Sequence, residues 1–323
     1  MSYTYFAYRL PHESDIHFLK GTITKRSSIV DVLGRGIVIS DFRSENIYQI
    51  ENIEPCSEKE FEFYFKDPHD KTLTFENYEI GFNKLLAELK SGRFDKVVYS
   101  KTKVVDTKID IIETYKSICK AYLNTFNYIL SSEETGVWMG ASPELLCEIE
   151  DNNIKAVSLA GTKKAEEKWT NKEIQEQLYV TRYIEDKFRE MHCRNINIEG
   201  PKNISAGPIE HLKSEISAEM MSRESWRKMI ESLHPTPAIC GIPTKKSMEL
   251  IQEVEAYKRF LYTGYIGVFT DEFKKCFVNL RCMQLHKNQA TLYVGGGMTK
   301  DSDINREWDE TERKASTLER FIS

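Results

Sequence analysis

Lys96 in "FDKVVYSK", Glu144 in "MGASPELLCEIE", and the pairs Glu173/Glu176 and Glu307/Glu310 are the side chains here that could do chemistry together. Each pair is spaced i, i+3, which puts both carboxylates on one face of a helix. A few carboxylates, completed by water and substrate, suit Mg²⁺; equally, acids in a first helical turn can simply complement the helix dipole. Alternation places Lys96 on the same strand face as Val98 and Ser100. Buried there, its amine could act as a general base; at a strand edge it would snorkel to water. Glu144 follows a Ser-Pro step. Held among apolar neighbours, its carboxyl would keep a proton and serve as a general acid; in a plain turn it would be solvated.

A second group could hold an anion. Gly295, Gly296 and Gly297 precede the helix that carries Glu307, Glu310 and Lys314, and such a run suits either close approach to a ligand or a tightly packed loop. Gly161 and Thr162 end an apolar run, where backbone N–H groups and a hydroxyl can meet a negative charge. Arg281, inside "FVNLRCMQL", has the fork that clamps a carboxylate. Tyr262 can add a phenolic hydrogen bond or simply fill core. His234, in "LHPTPAICG", reads as a loop histidine held by local hydrogen bonds. No HExxH, P-loop, GxGxxG or nucleophile elbow is present.

The elements that must position these groups are partly legible. Ile80, Phe82, Leu85, Leu86 and Leu89 predict a helix stopped by Gly92, and a β-branched strand follows from Lys96 to Val105. Helices are expected at about 110–123, 171–192, 215–232, 245–260 and from 304 onward. "TFNYILSS", "GVWMGAS" and "LLCEIEDNNIKAVSLAGT" read as strands, and the stretch from Tyr265 to Gly297 reads as three more. The first 75 residues mix strands and loops without a usable motif. Strands in meanders argue against a doubly wound parallel sheet. With no linker or repeat, the 323 residues are expected to form one domain: a variable portion over 1–75 and a catalytic core over 76–323.

Composition narrows the function. With 40% hydrophobic and 29% charged residues, a sizeable core and a solvated surface are both affordable. A net charge of −5 without a basic block disfavours nucleic acid or a polybasic membrane face as partner. Seven cysteines, never in CxxC spacing, fit neither a zinc ribbon nor a disulfide scaffold. With no signal-like N-terminus or membrane-length apolar run, the expectation is a cytoplasmic protein.

In chain order, "DKVVYSK", "SPELL", "LAGTKK", "KEIQEQ", "LHPTPAICGIP", "YTGYIG", "LRCMQL", "GGGM" and "EWDETERK" resemble the chorismate-utilising enzymes: the isochorismate, salicylate, anthranilate and aminodeoxychorismate synthases. The resemblance runs over about residues 75–320. It implies an α+β fold in which large antiparallel sheets pack face to face with helices outside, and a Mg²⁺-dependent site. Glu176 and Glu310 would bind the metal, supported by Glu173 and Glu307. Gly161, Thr162, His234, Tyr262, Arg281, Gly295, Gly297 and Lys314 would bind substrate. Lys96 in the "KVV" motif marks members that add water rather than ammonia, and Ala160 stands where aminodeoxychorismate synthases commonly carry a nucleophilic lysine. The implied activity is an isochorismate synthase, with Lys96 activating water and Glu144 protonating the departing hydroxyl. It would feed menaquinone or siderophore synthesis and need no glutamine amidotransferase subunit. A salicylate synthase and a non-catalytic chorismate-binding subunit are the alternatives. The sequence departs from the family pattern at Gln177, usually His, and at Lys101, usually Arg.

Overall fold

The computed structural model describes residues 2–68, 70–164, 166–206 and 209–323, without the side chains at 162, 164, 172, 205, 206 and 209. The chain opens with four strands, β1 (Thr4–Arg9), β2 (His17–Arg26), β3 (Gly36–Ser40) and β4 (Ile47–Pro55). Helix α1 (Phe75–Lys90) leads into β5 (Lys96–Asp106), and α2 (Ile111–Ala121) precedes β6 (Phe126–Ser132), β7 (Gly136–Ser142), β8 (Leu145–Glu150) and β9 (Asn153–Lys164). After α3 (Asn171–Glu190) come β10 (Arg194–Ala206), β11 (Ile209–Glu219), α4 (Trp226–Leu233), the two-residue β12 (Gly241–Ile242) and α5 (Thr244–Val254). The chain ends with β13 (Tyr265–Phe269), β14 (Phe273–Val278), β15 (Cys282–Leu285), β16 (Gln289–Met298) and α6 (Ile304–Glu319).

Among the described residues, sixteen strands join one antiparallel ladder, in the order β10-β11-β9-β8-β14-β13-β3-β4-β2-β1-β6-β7-β15-β16-β5-β12. The ladder folds over on itself. Phe126 of β6 and Phe277 of β14 have five strands between them in that order, yet their rings stack with centroids 4.4 Å apart. Phe6, Ile39, Tyr128, Trp138, Ile266 and Tyr293, from six strands, share the same interior. Helices cover the outer faces: α3 and α4 against β8, β9 and β11, and α1 and α5 against β5. Face-to-face antiparallel packing with helices outside is therefore what the chain adopts.

Where propensity and burial agree, the expected elements form. Thr74 caps α1, and Tyr78, Phe82, Leu85 and Leu89 bury one stripe of it. Three expectations need correction. The region 215–232 is no single helix: β11 runs to Glu219 and α4 begins only at Trp226. Its pattern has period 2, with Leu212, Ser214, Ile216 and Ala218 turned inward, which is strand spacing. The stretch from Tyr265 to Met298 holds four strands, not three, because Arg281 at φ +48° turns the chain between β14 and β15. Helix α5 stops at Val254, leaving residues 255–260 irregular. The N-terminal strands β1–β4 lie mid-ladder, inside the same sheet as the rest.

Candidate active site

The glycine run is neither turn nor loop. Gly295, Gly296 and Gly297 sit within β16, paired with Ser100, Tyr99 and Val98 of β5. Strand β15 stops pairing with β16 at Tyr293, so beyond it β16 has a ladder partner on the β5 side only. There the backbone and its missing side chains form one wall of a cavity, also lined by Glu144, Gly161, Glu176, Tyr262, Arg281 and Lys314. Why glycine is needed is a matter of space. A Cβ on Gly295 would lie 3.0 Å from the Tyr262 hydroxyl, and one on Gly296 3.1 Å from Glu307 Oε2. A Cβ on Gly297 would be 2.6 Å from Glu176 Oε1 and 2.7 Å from Lys96 Cε.

Lys96 starts β5 and is 1% exposed, so it is a buried lysine and not a snorkelling one. Its Nζ lies 2.7 Å from Glu176 Oε1, which α3 delivers to the same space beside Gly297. Glu144 is 4% exposed between β7 and β8. Its N–H donates to Ser142 Oγ at 3.3 Å, and its carbonyl accepts from Val278 N at 3.0 Å, which ties it to β14. Burial pushes its carboxyl up to about 7, against the opposing charges of Lys96 and Lys314. A proton is thus available near neutrality.

The cationic side of the cavity comes from Arg281 and Lys314. Lys314 donates to Gly295 O at 2.8 Å and pairs with Glu310 Oε1 at 2.7 Å. Arg281, whose guanidinium loses some affinity for its proton through burial, and Tyr262, whose phenol is pushed above its ordinary range by burial, both line the space. Tyr262 is core as well, stacked 5.8 Å from Tyr293. Gly161 has φ +75°, and a Cβ there would come 3.0 Å from Glu173 O, so only glycine lets β9 meet the start of α3 this closely. Thr162 lies in β9, but its side chain is outside the described set.

Glu176, Glu307 and Glu310 converge on Gly296–Gly297 from α3 and α6. Glu307 is 2% exposed and its Oε1 accepts from Ser302 at 2.7 Å. Glu173 turns away toward its own helix start, where it accepts from Thr170 N at 2.8 Å. Among the described residues no three His, Cys, Asp or Glu side chains form a ready metal cage. The donor set nonetheless fits Mg²⁺, a hard ion usually held by one or two carboxylates plus water and substrate oxygens. Glu176 and Glu310 line the cavity beside the glycine run, and Glu144 lines it as well.

One expected substrate-binding residue lies elsewhere. His234 does not line the cavity: its Nε2 meets Phe42 O at 3.1 Å, its ring lies edge-on to Tyr265, and burial lowers it to about 4. Lys101 lies outside the cavity as well, buried over the Trp308 ring at 3.0 Å and paired with Glu312. Gln177, at the departure beside Glu176, is a tie rather than a ligand. It accepts from Ala160 N at 3.0 Å and donates to Ser158 O and Ser214 Oγ at 3.1 Å each, pinning α3 to β9 and β11. His211 was missed by sequence reasoning. Its Nδ1 lies 3.1 Å from Gly161 O, and burial, then the charge of Arg281, lowers it to about 4, placing a neutral imidazole in the cavity wall. The only sequence signal was a lone histidine in an alternating segment.

This fold with this cavity defines the chorismate-binding enzymes, and the chain belongs to that family: the family's sequence model, "Chorismate binding enzyme", matches residues 39–323. Similar proteins include the isochorismate synthase EntC of Escherichia coli (strain K12), 28% identical over 239 residues, covering 69% of this chain and 61% of EntC. The isochorismate synthase DhbC of Bacillus subtilis (strain 168) is 29% identical over 271 residues, covering 76% and 68%. This chain therefore spans about three fifths of the length of EntC. Among solved structures, the menaquinone-specific isochorismate synthase MenF of Escherichia coli superposes with a TM-score of 0.83 at 16% identity, covering 100% of this chain and 89% of that one. Anthranilate synthase component I of Streptococcus pneumoniae gives 0.75 at 16%, covering 98% and 91%. These likenesses at low identity establish the fold. Among the described residues no helix is long and apolar enough to cross a membrane.

Proposed function

We propose that this protein is a Mg²⁺-dependent isochorismate synthase, converting chorismate to isochorismate. The observation that supports this best is a buried, proton-holding glutamic acid lining one cavity, with a buried lysine directly behind Gly297 and Glu176 of the cavity wall, and with other lining groups, Arg281, Tyr262 and Lys314, that suit an anion. Isochorismate synthases among its relatives support the same reading.

In this reading Arg281, Tyr262 and Lys314 hold the substrate carboxylates, and the side-chain-free backbone of Gly295–Gly297 lets the ring approach β16. Lys96 takes a proton from the water that adds at ring carbon C2. The ring double bonds shift and the C4 hydroxyl leaves as water, carrying the proton that Glu144 gives up. One water enters and one departs, so the net reaction is an isomerisation. Each proton transfer is worth about 10²–10⁴ in rate. Glu176 and Glu310, with Glu307 beside them, would hold Mg²⁺, which supplies charge neutralisation and orientation at a substrate carboxylate. Glu173 would act by fixing the first turn of α3. The product serves menaquinone or siderophore synthesis, in a soluble cytoplasmic setting and without an amidotransferase subunit.

Purified protein is incubated with chorismate, with and without Mg²⁺, and the products are separated by chromatography. Mg²⁺-dependent isochorismate without pyruvate is expected. Salicylate with pyruvate would reassign the chain to salicylate synthases. No product, with chorismate still raising Tm, would leave a binding subunit.

A further inference from the structure

Strand β5 carries Lys96 but is only briefly covered on its outer edge. Strand β12 pairs with it at Lys96 and Val97, and Cys240 O then accepts from Val98 N at 2.8 Å. There the neighbouring strand ends. The next two ladder groups on that edge, Val98 O and Ser100 N, have no strand opposite them. A buried ion pair takes its place. Arg259 Nη2 donates to Val98 O at 2.8 Å, and Glu255 Oε1 accepts from Ser100 N at 2.9 Å.

The pair is closed and saturated. Arg259 meets Glu255 through Nε at 2.8 Å and Nη2 at 2.6 Å, and the two side chains are 3% and 2% exposed. Arg259 Nη1 reaches Ile239 O at 3.0 Å and Thr263 Oγ1 at 3.3 Å. Ser100 Oγ bonds both Glu255 and the Tyr257 hydroxyl. The pair thus binds three segments, and Val98, Ile239 and Thr263 from those segments all line the cavity. A buried ion pair is weak evidence for stability, since its desolvation cost offsets its attraction. It is better suited to fixing one geometry, and a bidentate fork does that with little residual freedom.

We propose that Glu255 and Arg259 are positioning residues: they act as a side-chain substitute for the missing stretch of strand, holding β5, and with it Lys96, at the working distance from the cavity. This rests on the isochorismate synthase reading for its catalytic consequence, though not for its structural one. Arginine is required rather than any cation, because lysine cannot serve Glu255, Val98 O and Ile239 O at once.

The test compares wild type with Arg259→Lys and with the apolar double variant Glu255→Leu/Arg259→Met, which removes both charges and so leaves no unpaired one to prevent folding. In each variant kcat is expected to fall at least about tenfold, since a small misplacement of a reacting group is costly. KM for chorismate should change less than about threefold, because the substrate-clamping groups stay in place. Amide hydrogen exchange should quicken over residues 98–102 and remain unchanged in the β1–β2 hairpin. A variant with wild-type kcat and unchanged exchange in β5 overturns the proposal. So does faster exchange spread over the whole chain with a matching fall in Tm, which is what a merely global role would give. Should wild type make no isochorismate, the functional reading falls, and the exchange pattern alone still decides whether the pair holds β5.

Discussion

Replacing Gly297 with alanine separates what folding tolerates from what catalysis requires. The new methyl would sit 2.6 Å from Glu176 Oε1 and 2.7 Å from Lys96 Cε. Ordinary carbon contacts need about 3.5–4.0 Å, so each neighbour must retreat by roughly 1 Å. Both atoms lie near the ends of long side chains, and they can move without shifting the sheet. Overpacking a rigid core costs about 1–3 kcal/mol, and this site should fall at the low end. The same movement is far more costly for chemistry. Displacing a reacting group by about 1 Å is worth on the order of 10² in rate. The expected result is a Tm within a few degrees of wild type, with kcat for isochorismate formation, followed by chromatography of the products, down about a hundredfold. Gly92→Ala is the control: nothing lies within 4 Å of its Cβ, and only its φ of +77° is strained. It should lower Tm without touching kcat. Wild-type kcat in Gly297→Ala would refute the placement of Lys96 and Glu176 in the reacting geometry.

Lys96→Gln should abolish water addition while chorismate still raises Tm; hydration at near wild-type rate would remove Lys96 as the base. Glu310→Ala should lose activity that excess Mg²⁺ restores only partly, and an unaffected variant would remove that carboxylate from the metal site. Because Glu144 is raised to about 7, kcat/KM should decline as pH rises through about 7, where the acid form is lost; a flat profile from pH 6 to 8 would contradict its role. The same shift links to stability. The folded state binds this proton more tightly than the unfolded one, so its contribution is complete below about 4.5 and is lost as pH rises through about 7. Glu144→Gln should flatten that part of the stability profile, as read by urea unfolding across pH.

What the sequence disclosed depended on how local the cause was. Helix α1, strand β5 and helix α6 announce themselves because their periodicity and caps lie within one short window. The β10–β11 hairpin was not recognised: its outer strand is largely exposed, and its inner one alternates through Ser214 and Ala218 rather than bulky apolar residues. The acids and Lys96 were legible as candidates, but their burial was not, since burial depends on strands remote in sequence. The glycine run was visible, whereas its strand conformation depends on pairing with β5. Gln177 and His211 owe their roles to partners on other elements, and spacing along the chain carries no trace of them.

The order of strands in the ladder also sets a timetable. Strand β3 lies between β4 and β13, and Ile37 finds its partner in Val268, 231 positions later. At a synthesis rate of about 5–20 residues per second, the β3 edge waits roughly ten to fifty seconds for the strand that closes it. During that interval Ile37, Val38 and Ile39, fully covered in the finished protein, border an open row of hydrogen-bonding groups. A ribosome that stalls before β13 therefore releases a chain with an adhesive apolar edge in the middle of its sheet, a substrate for chaperones and proteases rather than a smaller working enzyme.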